Sequence, residues 1–208
     1  MIEARTIYKL KFGKIDQAVS LFKRVPKFAP MPDGAVIHYH LLTDITGPMY
    51  TLVEEIIMPD LSYWESTRDI IFKHPEFGGW FDEFQQIVET GEHEFYTVEG
   101  ECREWSRPGV LMVRQIYRAL KWQVRPAVGL MRRYGALLVD SGVGRNPRIL
   151  TDLSGPLFTV VIEIETDDLS VWERQRRQMF EKPEFQVWFL QLLNQVDRGS
   201  HDIYRVEV

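Results

Sequence analysis

An internal repeat constrains the fold of this chain more than any other feature of its sequence. The stretch LTDITGPMYT at residues 42–51 returns as LTDLSGPLFT at residues 150–159. From these two stretches to residues 100 and 208 the copies align without a gap, and almost half of the aligned positions are identical. The match upstream is looser, with RTIYK at residues 5–9 corresponding to RQIYR at residues 114–118. The chain is therefore two copies of one module.

The extent of the repeat predicts the domain organisation. We expect a first module at residues 1–100, a second module at residues 109–208 and a linker at residues 101–108. Each module has the length of a small domain that can bury a hydrophobic core of its own.

Hydrophobic periodicity predicts the secondary structure of one module. Residues alternate with the period of a strand in IEARTIYKL, AVIHYHLL, MYTLVEEII and HEFYTVE. Apolar residues recur at helical spacing from Lys14 until the proline-rich stretch VPKFAPMPDG, and again around HPEFGGWF. The spacing of Ser62 and Glu65 predicts a capping box at the start of the second helical region, and Gly47-Pro48 predicts a turn between the middle strands.

The order of these elements, βαββαβ in each copy, is typical of the ferredoxin-like fold, in which an antiparallel sheet carries its helices on one face. Such a sheet leaves its second face to be covered, and a second copy can cover it. We therefore predict an α+β fold in which tandem duplicated ferredoxin-like modules pack sheet to sheet as an intrachain dimeric α+β barrel.

Composition excludes several functional classes. Cys102 is the only cysteine, so no intramolecular disulfide can form, and this favours a cytoplasmic protein. No uninterrupted apolar run predicts a membrane helix, and the first residues do not resemble a secretory signal. The arginines between residues 103 and 148 are scattered, without the basic runs or interleaved aromatic residues of a nucleic-acid module, so no nucleic-acid partner is expected.

Charged residues on the first and third strands of each copy are the main site candidates. Strand alternation places Arg5 and Glu55 on one face of the first sheet, and Arg114 and Glu163 on the same face of the second. A carboxylate in a partly apolar cavity has a raised pKa and can abstract a proton, while an arginine beside it can hold an anion. The alternative is a buried ion pair that only fixes the packing.

Histidines form a second group of candidates. His38 and His40 share one face of the second strand, where they could serve proton transfer or ligand binding, and the alternative is a structural or surface pair. No further residues complete a metal site, so no metal is predicted. His93 and its counterpart His201 open the fourth strands.

The alternating strand MYTLVEEII also carries Glu54 in the middle of its apolar, helix-facing row, and nothing in the sequence accounts for it.

Two motifs resemble a known family. The opening EARTIYKLKFGK, at residues 3–14, resembles the start of NIPSNAP-family domains, and the helices with HPEF..WF and KPEF..WF resemble the helix of that family that carries a P-E-W motif. The whole pattern is similar to the dimeric α+β-barrel superfamily. This resemblance implies the paired-sheet fold, and it implies relatives that include cofactor-free oxygenases, isomerases of small rings and haem-binding enzymes.

Three functional hypotheses follow. The first is a NIPSNAP-like protein that binds a small organic molecule, either neutral or anionic, in the cavity between the sheets. No cofactor is predicted. The alternative is a cofactor-independent monooxygenase or isomerase, with Glu55 and His40 as catalytic residues, and Arg5, Arg114, His38 and Glu163 as ligand-binding residues. A further alternative is haem binding through His38, His40 or His93. Whether the protein is an enzyme, and whether it forms a homodimer, is left open.

Overall fold

The computed structural model describes residues 1–25 and 38–208. The first module contains β1 (Ile2–Leu10), α1 (Ile15–Phe22), β2 (His38–Asp44), β3 (Thr51–Met58), α2 (Leu61–Lys73), α3 (Phe77–Gln85) and β4 (Val88–Val98). The second contains β5 (Leu111–Ala119), α4 (Val124–Asp140), β6 (Arg145–Asp152), β7 (Thr159–Thr166), α5 (Leu169–Phe180), α6 (Pro183–Leu193) and β8 (Val196–Val206). Both copies follow the order βαββαβ, with the second helical region divided in two. Most of VPKFAPMPDG and the first residues of AVIHYHLL lie outside the described residues.

Strand pairing within each copy is antiparallel. The strand order is β4-β1-β3-β2 in the first copy and β8-β5-β7-β6 in the second, which is the ferredoxin-like order. The predicted α+β fold of tandem ferredoxin-like modules is confirmed.

The chain forms two compact units. The first unit comprises Met1–Asp44, Pro48–Tyr96 and Glu207–Val208, and the second comprises Ile45–Gly47 and Thr97–Val206. The module boundaries at residues 100 and 109, with their linker, remain a prediction.

The core of each unit lies between one face of its sheet and its helices. In the first unit Leu41 and Leu52 from the strands pack in one cluster with Phe22 of α1 and Trp80 of α3. In the second unit the corresponding cluster joins the sheet to α4, α5 and α6. The alternation along β3 places Leu52 in the first of these clusters and Ile56 in a smaller cluster of the first unit, against which Trp64 of α2 packs, so the predicted helix-facing row is confirmed.

The predicted capping box at the start of α2 is wrong. Asp60 is the N-cap, and its carboxylate accepts hydrogen bonds from the backbone N–H groups of Ser62 at 2.9 Å and Tyr63 at 3.4 Å. Asp168 caps α5 in the same way. An aspartate immediately before the helix accepts from the second and third helical N–H groups, so Ser62 is already inside the first turn.

The turn prediction at Gly47 holds. Gly47 and its counterpart Gly155 have φ angles of 88° and 89°, in the region that favours glycine.

Among the described helices, none combines the length and the apolar character needed to cross a membrane. The cytoplasmic location remains a prediction.

Candidate functional site

A cavity of about 260 Å³ lies in the first unit, on the helix-facing side of the sheet. Strands β1 and β3 contribute Ala4, Thr6, Tyr8, Glu54, Ile56 and Met58 to its lining, and the helices contribute mainly aromatic residues. Arg68, Phe72, Phe81 and His93 line the cavity and are exposed. The cavity therefore opens to solvent on the side of these four residues.

The inner wall of the cavity is built from stacked aromatic rings. Phe77 stacks on Trp80 with ring centroids 5.9 Å apart, and Trp80 stacks on Phe84 at 5.2 Å. The indole N–H of Trp80 donates a hydrogen bond of 3.0 Å to the carbonyl of Leu21, which fixes the ring. Such a wall presents preorganised apolar surface with aromatic faces and edges, against which a flat aromatic molecule packs well.

Glu54 is the one carboxylate among the described residues that line the cavity. Its side chain is half-buried, and the hydroxyl of Tyr8 donates to its Oε2 over a long 3.5 Å. Burial raises the pKa of Glu54 to about 7, and the hydroxyls of Tyr39 and Tyr8 oppose this rise only in part. At neutral pH the carboxyl group is thus present in both its charged and its neutral form.

Three further polar side chains line the cavity, those of Thr6, Thr67 and His93. The hydroxyl of Thr6 and Nδ1 of His93 lie 3.0 Å apart in a hydrogen bond. Burial lowers the pKa of His93, and the positive charge of Arg68 lowers it further, which favours the neutral imidazole at pH 7. The hydroxyl of Thr67 is buried and has no hydrogen-bond partner within the described part of the chain. A polar atom of a ligand could satisfy this hydroxyl.

The second unit fills the equivalent space with side chains. Tyr134 occupies the position that corresponds to Val25, and its ring stacks on Trp188 at 4.0 Å. Gln115 replaces Thr6, and its amide donates to the Tyr134 hydroxyl at 3.3 Å. Ile162 replaces Glu54 and is buried in the core. The polar groups here pair with one another and with no carboxyl group. Among the described residues, the first copy thus combines an open space with a carboxyl group at this place, and the second copy does not.

The site candidates of the first copy lie on the opposite face of the sheet. Arg5 and Glu55 are paired residues on β1 and β3, and they form a fully buried ion pair. His40 lies opposite Glu55 on the other side of β3, and the rings of His38 and His40 stack with centroids 6.1 Å apart. None of these four residues lines the cavity that contains Glu54.

The candidates of the second copy form a similar arrangement. Arg114 and Glu163 are an ion pair that is fully buried, and Arg148 lies 3.5 Å from the other oxygen of Glu163. The guanidinium of Arg148 also lies over the ring of Trp105, 4.3 Å from its centroid. Strand alternation did bring the expected charges together. Their geometry is that of the ion-pair alternative, and their roles in binding or catalysis remain predictions.

Sequence reasoning missed Glu54, Tyr8 and Thr67 as site residues. The available signal was the position of Glu54 in a row of residues that should otherwise be apolar. A charged residue at such a position needs a compensating partner or access to solvent, and the cavity supplies that access.

Comparisons with known proteins support the fold. The sequence matches no protein-family model, and no curated protein is a significant match. Among solved structures, a protein from Fusobacterium nucleatum proposed to be a monooxygenase aligns with 100% of this chain and 92% of its own, at 12% identity and a TM-score of 0.72. An anthrone oxidase-like protein aligns with 100% of this chain and 91% of its own, at 12% identity and a TM-score of 0.70.

Two other kinds of structure also align. A haem-binding protein from Thermus thermophilus covers 99% of this chain and 90% of its own, at 8% identity and a TM-score of 0.59. NIPSNAP-like domain proteins are also among the neighbours, and one from Burkholderia xenovorans covers 47% of this chain and 84% of its own, at 21% identity and a TM-score of 0.41. The TM-scores of the three neighbours that align over almost the whole chain show a shared fold, and their low identities leave the activity to be argued from the site.

Proposed function

We propose that this chain, which has the fold of the dimeric α+β-barrel superfamily as its sequence predicted, binds a small aromatic molecule in the cavity of its first unit. We propose in addition that Glu54 accepts a proton from that molecule. The observation that carries both statements is a carboxyl group with a pKa of about 7 in a cavity with aromatic walls. This location differs from the cavity between the sheets that the sequence led us to expect.

The size of the cavity limits the ligand. An apolar cavity of about 150 Å³ holds benzene. A volume of about 260 Å³ therefore has room for a molecule of one or two fused rings, and the stacked rings of Phe77, Trp80 and Phe84 offer it apolar contacts. A haem macrocycle exceeds this space, so the haem-binding hypothesis gains no support from the cavity.

The chemistry of Glu54 suits proton abstraction. A general base works best when its pKa lies near the operating pH, because a useful fraction is then ionised and still basic. The hydroxyls of Tyr8 and Tyr39 stabilise the carboxylate form. Suitable ligands are phenols, or carbon acids whose C–H bond lies next to a carbonyl or an aromatic ring.

Two reactions can follow from such a deprotonation. Return of the proton to a different atom of the ligand would be an isomerisation. Alternatively, the anionic carbon of the ligand could form a C–O bond with molecular oxygen and, with the abstracted proton, give a hydroperoxide. Loss of water from a hydroperoxide on a carbon that carries a second hydrogen leaves a carbonyl group, so the ligand supplies the electrons and the overall reaction is a cofactor-independent oxygenation. The descriptions of the two full-length neighbours as a proposed monooxygenase and as anthrone oxidase-like favour the second reaction.

Binding of two matched probes tests the proposal. 2-Naphthol and 2-methylnaphthalene have nearly the same shape, and only the naphthol donates a hydrogen bond. Titration calorimetry at pH 7.5 should show that the wild type prefers the naphthol by roughly 10- to 100-fold, since a hydrogen bond to a charged acceptor contributes about 1.5–3 kcal/mol. Glu54→Gln keeps a hydrogen-bond acceptor but loses the charge, so its preference for the naphthol should shrink to the few-fold difference expected of a neutral hydrogen bond, about 0.5–1.5 kcal/mol.

Filling the cavity provides the second arm of this test. Val25→Tyr copies the residue that fills the second unit, so this variant should fold and should lose the binding of both probes. If Val25→Tyr binds 2-naphthol as the wild type does, the ligand is not in this cavity and the proposal is wrong.

A further inference from the structure

We infer that the natural ligand carries an anionic group in addition to its acidic proton, and that Arg68 holds this group at the mouth of the cavity. The ligand class is then a hydroxylated aromatic carboxylate or a similar aromatic acid, with its ring inside and its charge directed to solvent. This inference rests on the proposed function and specifies the substrate of the same site.

Arg68 is placed and oriented by two residues of the cavity itself. Its guanidinium lies over the ring of Trp64, 5.5 Å from the centroid, and over the ring of Phe72, 4.8 Å from the centroid. All three side chains line the cavity, and that of Arg68 is exposed. Stacking uses the flat faces of the guanidinium and leaves the N–H donors at its edge available for a bidentate contact with a carboxylate.

Arg68 has no salt-bridge partner among the described residues, whereas Lys73 on the same helix pairs with Asp69 at 3.0 Å. The carboxylate of Glu54 belongs to strand β3 at the inner side of the cavity, whereas Arg68 belongs to helix α2 and is exposed. Arg68 does lower the pKa of His93, which places positive potential at the mouth.

The cavity therefore has two chemically different ends. The mouth, with Arg68, attracts an anion, and the strand side, with Glu54, accepts a proton. A molecule that matches both ends bears a carboxylate on one side of an aromatic ring and a proton donor on the other. A neutral phenol would use only the second end and would leave Arg68 with water.

The second unit offers a matched control for this assignment. Arg176 lies over Trp172 and Phe180, with its guanidinium 5.4 Å and 4.3 Å from the two ring centroids. The stack of an arginine on a tryptophan and a phenylalanine is thus part of the duplicated scaffold. In the second unit the space below it is filled by Tyr134 and its neighbours. If the stack is only structural, Arg68 and Arg176 are equivalent.

The experiment compares 2-naphthol with 6-hydroxy-2-naphthoate on the full chain by titration calorimetry at low ionic strength. The wild type should bind the naphthoate on the order of 10-fold more tightly than the naphthol, as expected for a charge-assisted bidentate contact. Arg68→Met should lose this preference, Arg68→Lys should keep a part of it, and Arg176→Met should keep all of it. The preference in the wild type should shrink as salt is added.

The contrary results of this experiment would refute either the role of Arg68 or the proposed function. Equal affinities of the wild type for the two probes, or a preference that survives in Arg68→Met, would refute the role of Arg68 and leave the proposed function standing. Failure of both probes to bind the wild type would refute the proposed function itself. Melting temperatures of the variants show whether a lost preference merely reflects unfolding.

Discussion

Replacing Glu54 with glutamine should stabilise the protein above neutral pH, although it removes a residue that we place at the centre of the site. Glutamine has nearly the same size and keeps a group that accepts the hydrogen bond from Tyr8, but it has no charge to bury. The stabilisation should vanish near pH 4, where the wild-type carboxyl group is itself neutral. This pH dependence separates a buried charge from a simple packing effect.

The magnitude follows from proton linkage. In the unfolded chain Glu54 has a pKa near 4.5, and in the folded protein burial raises this pKa to about 7. Between these two values the folded state binds more protons than the unfolded state, so the free energy of unfolding falls as pH rises. The pKa values differ by about 2.5, and a pKa difference of 1 corresponds to about 1.4 kcal/mol. The charge of Glu54 therefore lowers the free energy of unfolding by about 3 kcal/mol, an effect that is complete only above pH 7. Water in the open cavity screens part of the charge, so this figure is an upper limit.

Urea unfolding of the wild type and of Glu54→Gln between pH 4 and pH 8.5 measures this effect. The two stability curves should coincide at pH 4 and diverge through pH 5–7, with the variant more stable by up to about 3 kcal/mol at pH 8. Glu55→Gln is the matched control on the next residue of the strand. It breaks a buried ion pair with Arg5, so it should destabilise the protein at neutral pH. A Glu54→Gln variant less stable than the wild type at pH 8 would refute our account of Glu54.

Two further predictions concern residues outside the cavity. Gly47→Val should destabilise more than Gly155→Val in urea melts. Both substitutions force a side chain into positive φ at about 1–2 kcal/mol, but only at position 47 would the new Cβ lie 3.0 Å from the carboxylate of Asp202; equal costs would contradict this. Arg5→Met should destabilise by about 3–5 kcal/mol because it leaves Glu55 buried without its arginine. The folded fraction should bind 6-hydroxy-2-naphthoate as the wild type does, whereas a role of Arg5 as the anion anchor requires that binding to be lost.

The fold could be predicted from the sequence because the periodicities of its strands and helices are local patterns and occur in both copies. Alternation along MYTLVEEII assigns Leu52 and Ile56 to the helix-facing side of β3 and Glu55 to the other side, and the structure agrees. The same alternation predicts that Arg5 and Glu55 lie on one face of the sheet. Alternation does not reveal whether two paired charges also contact a ligand, because that depends on the space around them.

The candidate site was beyond the sequence for the same reason. Glu54 was recognisable as an exception in an apolar row, but a buried glutamate can equally well be explained by a salt bridge. The cavity exists because side chains from β1, β3, α1, α2 and α3 leave a gap that no single element encodes. The identity of residue 25 illustrates this. Valine there borders the cavity, and tyrosine at the corresponding position 134 fills the core of the second unit.

Comparison of the two copies separates scaffold from site within one chain. The arginine, tryptophan and histidine at positions 68, 64 and 93 recur at 176, 172 and 201, so their first role is one that both copies need. Glu54 and Val25 do not recur, and they supply the charge and the space that make the first cavity chemically distinct. A shared residue such as Arg68 can gain a second role only where the space beneath it is open. Duplication thus allows one copy to keep a filled core while the other forms a pocket. The packing contacts that the pocket lacks are the stability cost expected of a binding site.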